Sequence, residues 1–295
     1  MFKKTKQLLA EMVELRRYRL QRRLRMSWSF HLGYKRNRIR HAAHDQWRGG
    51  YILTENCGYL YVPGEVDLMA ARRLLKPAES NPLLAFWCPS GSTAIDVGAN
   101  IGDWSVPLAM CVGPSGKLLA VEPIPRMARA LRKTFGINKL HQASVAEVAL
   151  SSSAGKAQFS VELGNTGGSR IGSHPLAHGT IEVDVLTLDA LVEREQLQRV
   201  DFIKIDVEGH EPGVLLGAIR TLHRWKPLLF VESGQEGESG RAQIADLLSD
   251  CDYEIAGYAT DGGIIEVTWD EYRKATGRCE GAGISNLIFY CFDRG

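Results

Sequence analysis

Between residues 90 and 232, short runs of apolar residues alternate with segments whose apolar positions recur at helical spacing. STAIDV (92–97), KLLAVEP (117–123), VAEVAL (145–150), VDFIKID (200–206) and KPLLFVE (226–232) read as buried strands. Among them SVPLAMCV, PRMARALRKTFGI, DALVEREQL, a segment from about Pro212 to Leu222, and RAQIADLLSD read as helices, with Pro125 near the first position of the second. Strands that are apolar throughout must be covered on both faces. The pattern therefore predicts an α/β fold around a doubly wound, mostly parallel sheet. YEIAGY and NLIFYCF close the chain as strands, and the last one follows a strand and not a helix, so it is expected to pair antiparallel with its predecessor.

One interruption stands out. KAQFSVEL, the Gly- and Ser-rich NTGGSRIGSHPLAHG and TIEVDVLTL read as a β-hairpin inserted into the layer pattern, and a loop of that length is often functional. Upstream, CGYLYVPGEVDL (57–68) reads as a lead-in strand.

With 295 residues, 44% hydrophobic and 24% charged, the chain can bury a large core. Its net charge of +2 is unevenly spread: residues 1–40 hold thirteen Lys and Arg against two Glu, leaving 23 basic and 32 acidic residues beyond them. Residues 1–50 are accordingly expected to form a basic helical extension, with Leu8, Met12 and Leu15 on one face, and residues 51–295 the catalytic domain. The extension lacks the uninterrupted apolar core of a signal peptide, and no stretch of about 18 apolar residues offers a membrane span. A solvated or partner-packed extension is the first expectation, peripheral contact with anionic lipid aided by Trp28 and Phe30 the second, and nucleic-acid contact the last. The six cysteines are scattered without CxxC or zinc spacing, which points to a reducing, cytoplasmic setting.

IDVGANIGDW puts Gly98 and Gly102 in the first strand-to-helix turn, where missing side chains let a ligand approach the backbone. Glu122 ends the next strand, where a carboxylate can accept hydrogen bonds from ribose hydroxyls. A dinucleotide fingerprint would need a Gly where Asn100 stands. The GxxxG spacing preceded by Asp96 instead suits S-adenosylmethionine, whose ammonium and sulfonium an acid can stabilise.

In order and spacing, IDVGANIG, VEP, VALS, LDALV, FIKIDVEGHEPGVLLGA, LFVE and NLIFY resemble the FkbM family of S-adenosylmethionine-dependent methyltransferases, over about residues 55–292. The resemblance implies a class I methyltransferase (Rossmann-like) fold with a seven-stranded sheet whose last strand is antiparallel. It also implies O-methylation of a hydroxyl, commonly on a sugar or polyketide. Carried over by position, Asp96, Gly98, Asn100 and Gly102 would line the methionine part, Glu122 the ribose, and Ala149 and Leu150 the adenine. The family's acid after that third strand is here replaced by Ser151, Ser152 and Ser153.

Asp206 ends the fourth parallel strand on the same edge as Gly98 and Glu122; Gly209 permits the turn beyond it and Pro212 suits a helix start. Methyl transfer from a sulfonium is an in-line displacement that requires the acceptor oxygen to be aligned and its proton removed. His210, then Glu208, then Asp206 are the expected order of bases, with Glu211 orienting a base or the acceptor, or simply favouring the helix start. Glu232 ends the fifth strand and should border the acceptor side, while Asn165, Thr166, Ser169 and Arg170 in the inserted loop could fold over a polyhydroxylated acceptor. Asp206, Glu208 and Glu232 together could instead hold a divalent metal; no chelating motif is visible, and no metal is assigned. Two other functions share parts of this pattern. A nicotinamide-dependent oxidoreductase is disfavoured by Asn100 and by the lack of a YxxxK pair, and a non-catalytic methyltransferase-like binding module would bind cofactor without turnover.

Overall fold

The computed structural model describes residues 49–54, 58–63, 84–161, 169–172, 179–260, 263–274 and 286–291. The basic extension predicted for residues 1–50 lies outside them, apart from its last two residues.

In chain order the elements are β1 (Gly49–Thr54), β2 (Gly58–Pro63), α1 (Leu84–Trp87), β3 (Thr93–Val97), α2 (Ser105–Val112), β4 (Lys117–Val121), α3 (Pro125–Ile137), β5 (Ala143–Ala146), β6 (Ala149–Leu150), β7 (Gly155–Val161), β8 (Arg170–Ile171) and β9 (Gly179–Leu186). They continue with α4 (Leu188–Arg194), β10 (Phe202–Ile205), α5 (Glu211–Leu216), α6 (Ile219–Trp225), β11 (Leu228–Glu232), α7 (Gly237–Asp250), β12 (Glu254–Thr260), β13 (Gly263–Ile265), α8 (Trp269–Lys274) and β14 (Asn286–Tyr290).

The central sheet runs β5-β4-β3-β10-β11-β14-β12-β13. Its first five strands are parallel; β14 is antiparallel to both β11 and β12, as expected for the final strand, although β13 and α8 intervene between β12 and β14. β13 adds an antiparallel eighth strand to the seven expected.

Pleating sorts the strand residues between two cores. Ala94, Leu118, Ala120, Phe202, Phe230 and Ile288 face a core completed by α2, α3 and the β1–β2 hairpin. Ile95, Leu119, Ile203, Ile205, Leu229 and Phe289 face the other, completed by α4–α7. Every residue of β3 and β10 is buried, which is why these segments read as near-continuous apolar runs, with Asp96 and Lys204 their charged exceptions. The β1–β2 hairpin is clamped to α3 by side chains that complete its edge: Asn138 Oδ1 accepts from Tyr59 N (2.9 Å) and Thr134 Oγ1 from Tyr61 N (2.9 Å).

Three expectations change. VAEVAL is not one strand: it breaks at Glu147 and Val148, leaving Ala149–Leu150 to pair with β9 in a second sheet. The insertion is accordingly a four-stranded sheet of order β6-β9-β7-β8, of which the expected hairpin, β7–β9, is the middle. The helix expected from Pro212 to Leu222 divides at Gly217, because the chain there passes against the Ser151 carbonyl and a Cβ would lie 2.2 Å from it.

Candidate active site

Extending the strand register by one residue lines up Glu122, Gly98, Asp206 and Glu232, and Glu232 is paired directly with Asn286. These five residues form one row across the carboxyl ends of β4, β3, β10 and β11 and the amino end of the antiparallel β14. Two residues below, the same face carries Ala120, Asp96, Lys204, Phe230 and Ile288. The row gathers the Gly turn, the second-strand acid and the strand-four acid, as the sequence predicts.

The turn after β3 depends on glycine. Gly98 has φ 82°, and a Cβ there would sit 1.8 Å from the Asp206 carbonyl oxygen, so only a bare backbone can pass the end of β10. Asn100 follows in the left-handed region at φ 48° and turns its N–H to Glu122 Oε2 (2.9 Å), while Ile124 N donates to Glu122 Oε1 (2.8 Å). Burial pushes the Glu122 carboxyl up to about 7, against the pull of those two N–H donors. Gly102, at φ 100°, lies where a Cβ would press on Leu131 at 2.9 Å.

Asp96 is fully buried one turn below. Its Oδ2 accepts from Ser105 Oγ (2.5 Å), whereas Oδ1 has no hydrogen-bond partner and meets Lys204 Nζ only at 3.8 Å. Burial raises its pKa, opposed by Lys204 and Ser105. Lys204, 1% exposed, places Nζ 3.1 Å from Asp206 Oδ2 and 5.6 Å from the centre of the Trp104 ring. Burial works against its charge, but Asp206 and Asp96 outweigh it, so the ammonium holds its proton more firmly than an ordinary Lys.

Beyond Asp206 the chain makes a tight turn. Glu208 is left-handed (φ 57°), as is Gly209 (φ 98°), and Gln235 Nε2 donates to Glu208 Oε2. One oxygen each from Asp206, Glu208 and Glu232 fall within 4.8 Å of one another. Burial, the Asp206 charge and a hydrogen bond with Asp206 together push the Glu232 carboxyl well above the usual range, which favours a proton on Glu232.

Glu211 does not join them. Only 1% exposed, it spends Oε1 on Val207 N and Gly209 N (3.1 Å each), and burial pushes it up to about 7: it holds the turn that presents Glu208. The His210 ring lies over Gly213, where a Cβ would be 2.6 Å from Nε2, and that nitrogen meets Ser151 Oγ at 2.9 Å. Burial lowers its pKa, so the neutral ring is favoured.

Ala149 and Leu150 pack their side chains into the two cores, and Ser151 supplies the first polar side chain at that edge. Ser169 is buried and Arg170 half-buried in β8; Asn165 and Thr166 lie outside the described residues. Sequence reasoning missed Lys204 and Asn286, and named Ser151 only as standing in place of the family's acid. A lone Lys within FIKID was a legible signal for the first, whereas Asn286 and the contact between Ser151 and His210 become visible only in the fold.

The model of the family described as the methyltransferase FkbM domain matches residues 96–255, which contain every residue of the row except Asn286. The 2-O-methyltransferase NoeI of Sinorhizobium fredii is 27% identical over 169 residues, 52% of this chain and 68% of that protein. Among solved structures, the methyltransferase FkbM of Methylobacillus flagellatus KT is 20% identical, with 68% of this chain and 44% of that one covered at a TM-score of 0.44. This chain thus spans less than half the length of that protein. The O-methyltransferase of Bacillus cereus in complex with SAH is 16% identical, with 72% and 80% covered and a TM-score of 0.44.

Proposed function

Since the chain belongs to the FkbM family and is an S-adenosylmethionine-dependent methyltransferase, we propose that it methylates a hydroxyl oxygen of a sugar or similarly polyhydroxylated acceptor. The observation that carries this reading is the convergence of Asp206, Glu208 and Glu232 at the sheet edge that also carries the Gly98 turn and Glu122.

The residues present fit the cofactor. Asp96 Oδ1 is a buried acceptor with no hydrogen-bond partner, suited to a cationic neighbour, and each Glu122 oxygen keeps a lone pair free beyond its one backbone donor. When bound, the cofactor supplies an electrophilic methyl carbon. The chain's part is to bring one acceptor oxygen in line with it and to remove the proton.

Asp206 is suited to the proton. Lys204 holds it at 3.1 Å and favours its ionised form, while Glu232 serves as the protonated partner that donates to it or to an acceptor oxygen. Glu208 adds a second acceptor oxygen aimed at the same place. His210, directed at Ser151, would act by positioning the turn unless its ring swings away. A cluster of acceptor oxygens suits the several O–H donors of a sugar. The 2-O-methyltransferase name of the S. fredii relative agrees with this acceptor class. Belonging to this family removes the premise of the nicotinamide reading, and turnover on any acceptor would remove the non-catalytic one.

The test is mass spectrometry of glycans and glycolipids from cells with and without the chain, followed by linkage analysis of any species heavier by one methylene. A methyl ether on a sugar oxygen is expected. Methylation confined to nitrogen or to protein would overturn the reading.

A further inference from the structure

We propose that Asp206, Glu208, Glu232 and Asn286 form a site for one divalent, oxygen-seeking cation (Mg²⁺, Mn²⁺ or Ca²⁺) at the acceptor end of the row. The inference deepens the methyl-transfer reading, because a cation there would bind the acceptor oxygen and make its proton easier to remove. Its test, however, needs neither cofactor nor acceptor.

Geometry is the first support. Ligand oxygens from the three carboxylates already lie within 4.8 Å of one another. Opposite ligands stand about 4.2 Å apart across Mg²⁺ and about 4.8 Å apart across Ca²⁺, so three oxygens need little movement to share one ion. The turn that presents them is fixed independently: Glu211 Oε1 takes the N–H groups on either side of Glu208.

The second support comes from another strand. Asn286 pairs directly with Glu232 across β11 and β14, so the two side chains leave the same face of the sheet side by side. Asn286 is 5% exposed, and its Oδ1 is enclosed without a hydrogen-bond partner. A buried amide oxygen left unpaired costs free energy, and the great majority of such groups in folded proteins have partners. Beside three carboxylates, the partner that satisfies both the amide oxygen and the crowded negative charge is a hard cation.

Charge is the third. The Lys204 ammonium is shared between Asp206 at 3.1 Å and Asp96 at 3.8 Å. Three clustered carboxyl groups and Asp96 therefore face one buried ammonium, and a divalent ion on binding takes the place of the proton held between Asp206 and Glu232.

The experiment uses the full chain, stripped with EDTA and desalted. Mn²⁺ binding is followed by loss of the free-ion EPR signal, and melting is measured with MgCl₂, MnCl₂ or CaCl₂ against NaCl of equal ionic strength. One saturable site per chain, with a dissociation constant below about 1 mM, and a melting temperature raised by several degrees are expected. Glu232→Gln and Glu208→Gln should each abolish the site, Asn286→Ala should weaken it about tenfold, and Asn286→Asp, nearly isosteric, should retain or tighten it. Circular dichroism of each variant identifies any that fail to fold, and the Asn286 pair then decides. Absence of saturable binding for all three ions, or binding unchanged in the folded variants, would overturn the site.

Discussion

The two halves of the carboxyl edge handle their carboxylates in opposite ways. On the β3–β4 side Glu122 stands among backbone donors, each oxygen taking one N–H, and Gly98 is demanded by close backbone approach. On the β10–β11–β14 side, three carboxylates share a space within 4.8 Å, with a left-handed Glu208, an unpaired Asn286 oxygen and a buried ammonium. Around Glu122 the first half is held by backbone hydrogen bonds and should be rigid there, Asp96 Oδ1 being its one buried acceptor left without a hydrogen bond among the described residues. The second concentrates like charge and backbone strain, which cost stability and persist where chemistry uses them.

Substitutions that break this contrast should differ in kind. Gly98→Ala should have the largest effect, because its Cβ would meet the Asp206 carbonyl at 1.8 Å: a loss of about 3 kcal/mol or more in denaturant unfolding, and no measurable cofactor binding by calorimetry. Lys204→Met should come next, at about 3 kcal/mol, because it strips Asp96 and Asp206 of their buried cation. Wild-type stability after this change would show that the ammonium is not what balances the acids.

Asp206→Asn separates the halves functionally. Turnover should fall at least about a hundredfold while cofactor affinity changes little. His210→Ala should lower turnover by about tenfold or less, since its ring is directed at Ser151; a loss as deep as that of Asp206→Asn would give the proton to His210 instead.

The smallest effect concerns pH. Glu122 and Glu211 are pushed from 4.5 up to about 7, so the folded chain binds their protons more firmly than the unfolded chain does. Their contribution is fully present below about pH 4.5 and is lost as pH rises through about 7. Melting temperature in EDTA should therefore decline from pH 5 to pH 8. The raised Glu232 carboxyl acts in the same direction, so Glu232→Gln should flatten the decline, and a steeper one would contradict its assigned protonation.

Much of the cofactor half was legible in the chain because its residues sit at the ends of apolar runs whose alternation specifies a parallel sheet. IDVGANIG and VEP declare their own turns. On the other side Asp206, Glu208 and Glu232 were legible as a set of acids at two strand ends, but Asn286 was not: it reaches Glu232 only because β14 enters between β11 and β12, a pairing between residues 54 positions apart. The insertion was misread for a related reason: VAEVAL is apolar apart from Glu147, a single polar residue that a strand tolerates, so its pattern does not mark the break there where the chain leaves one sheet for another. His210 looked like the natural base by its ordinary pKa, but a contact 59 residues away turns the ring toward Ser151.

The most direct measurement is transfer of a ¹³C-labelled methyl group from S-adenosylmethionine to a sugar acceptor, read by NMR, in the wild-type chain and Asp206→Asn. The account predicts an O-methyl ether resonance with the wild type and none above background with the variant. A label that appears on nitrogen, or an ether formed equally by both proteins, would contradict it.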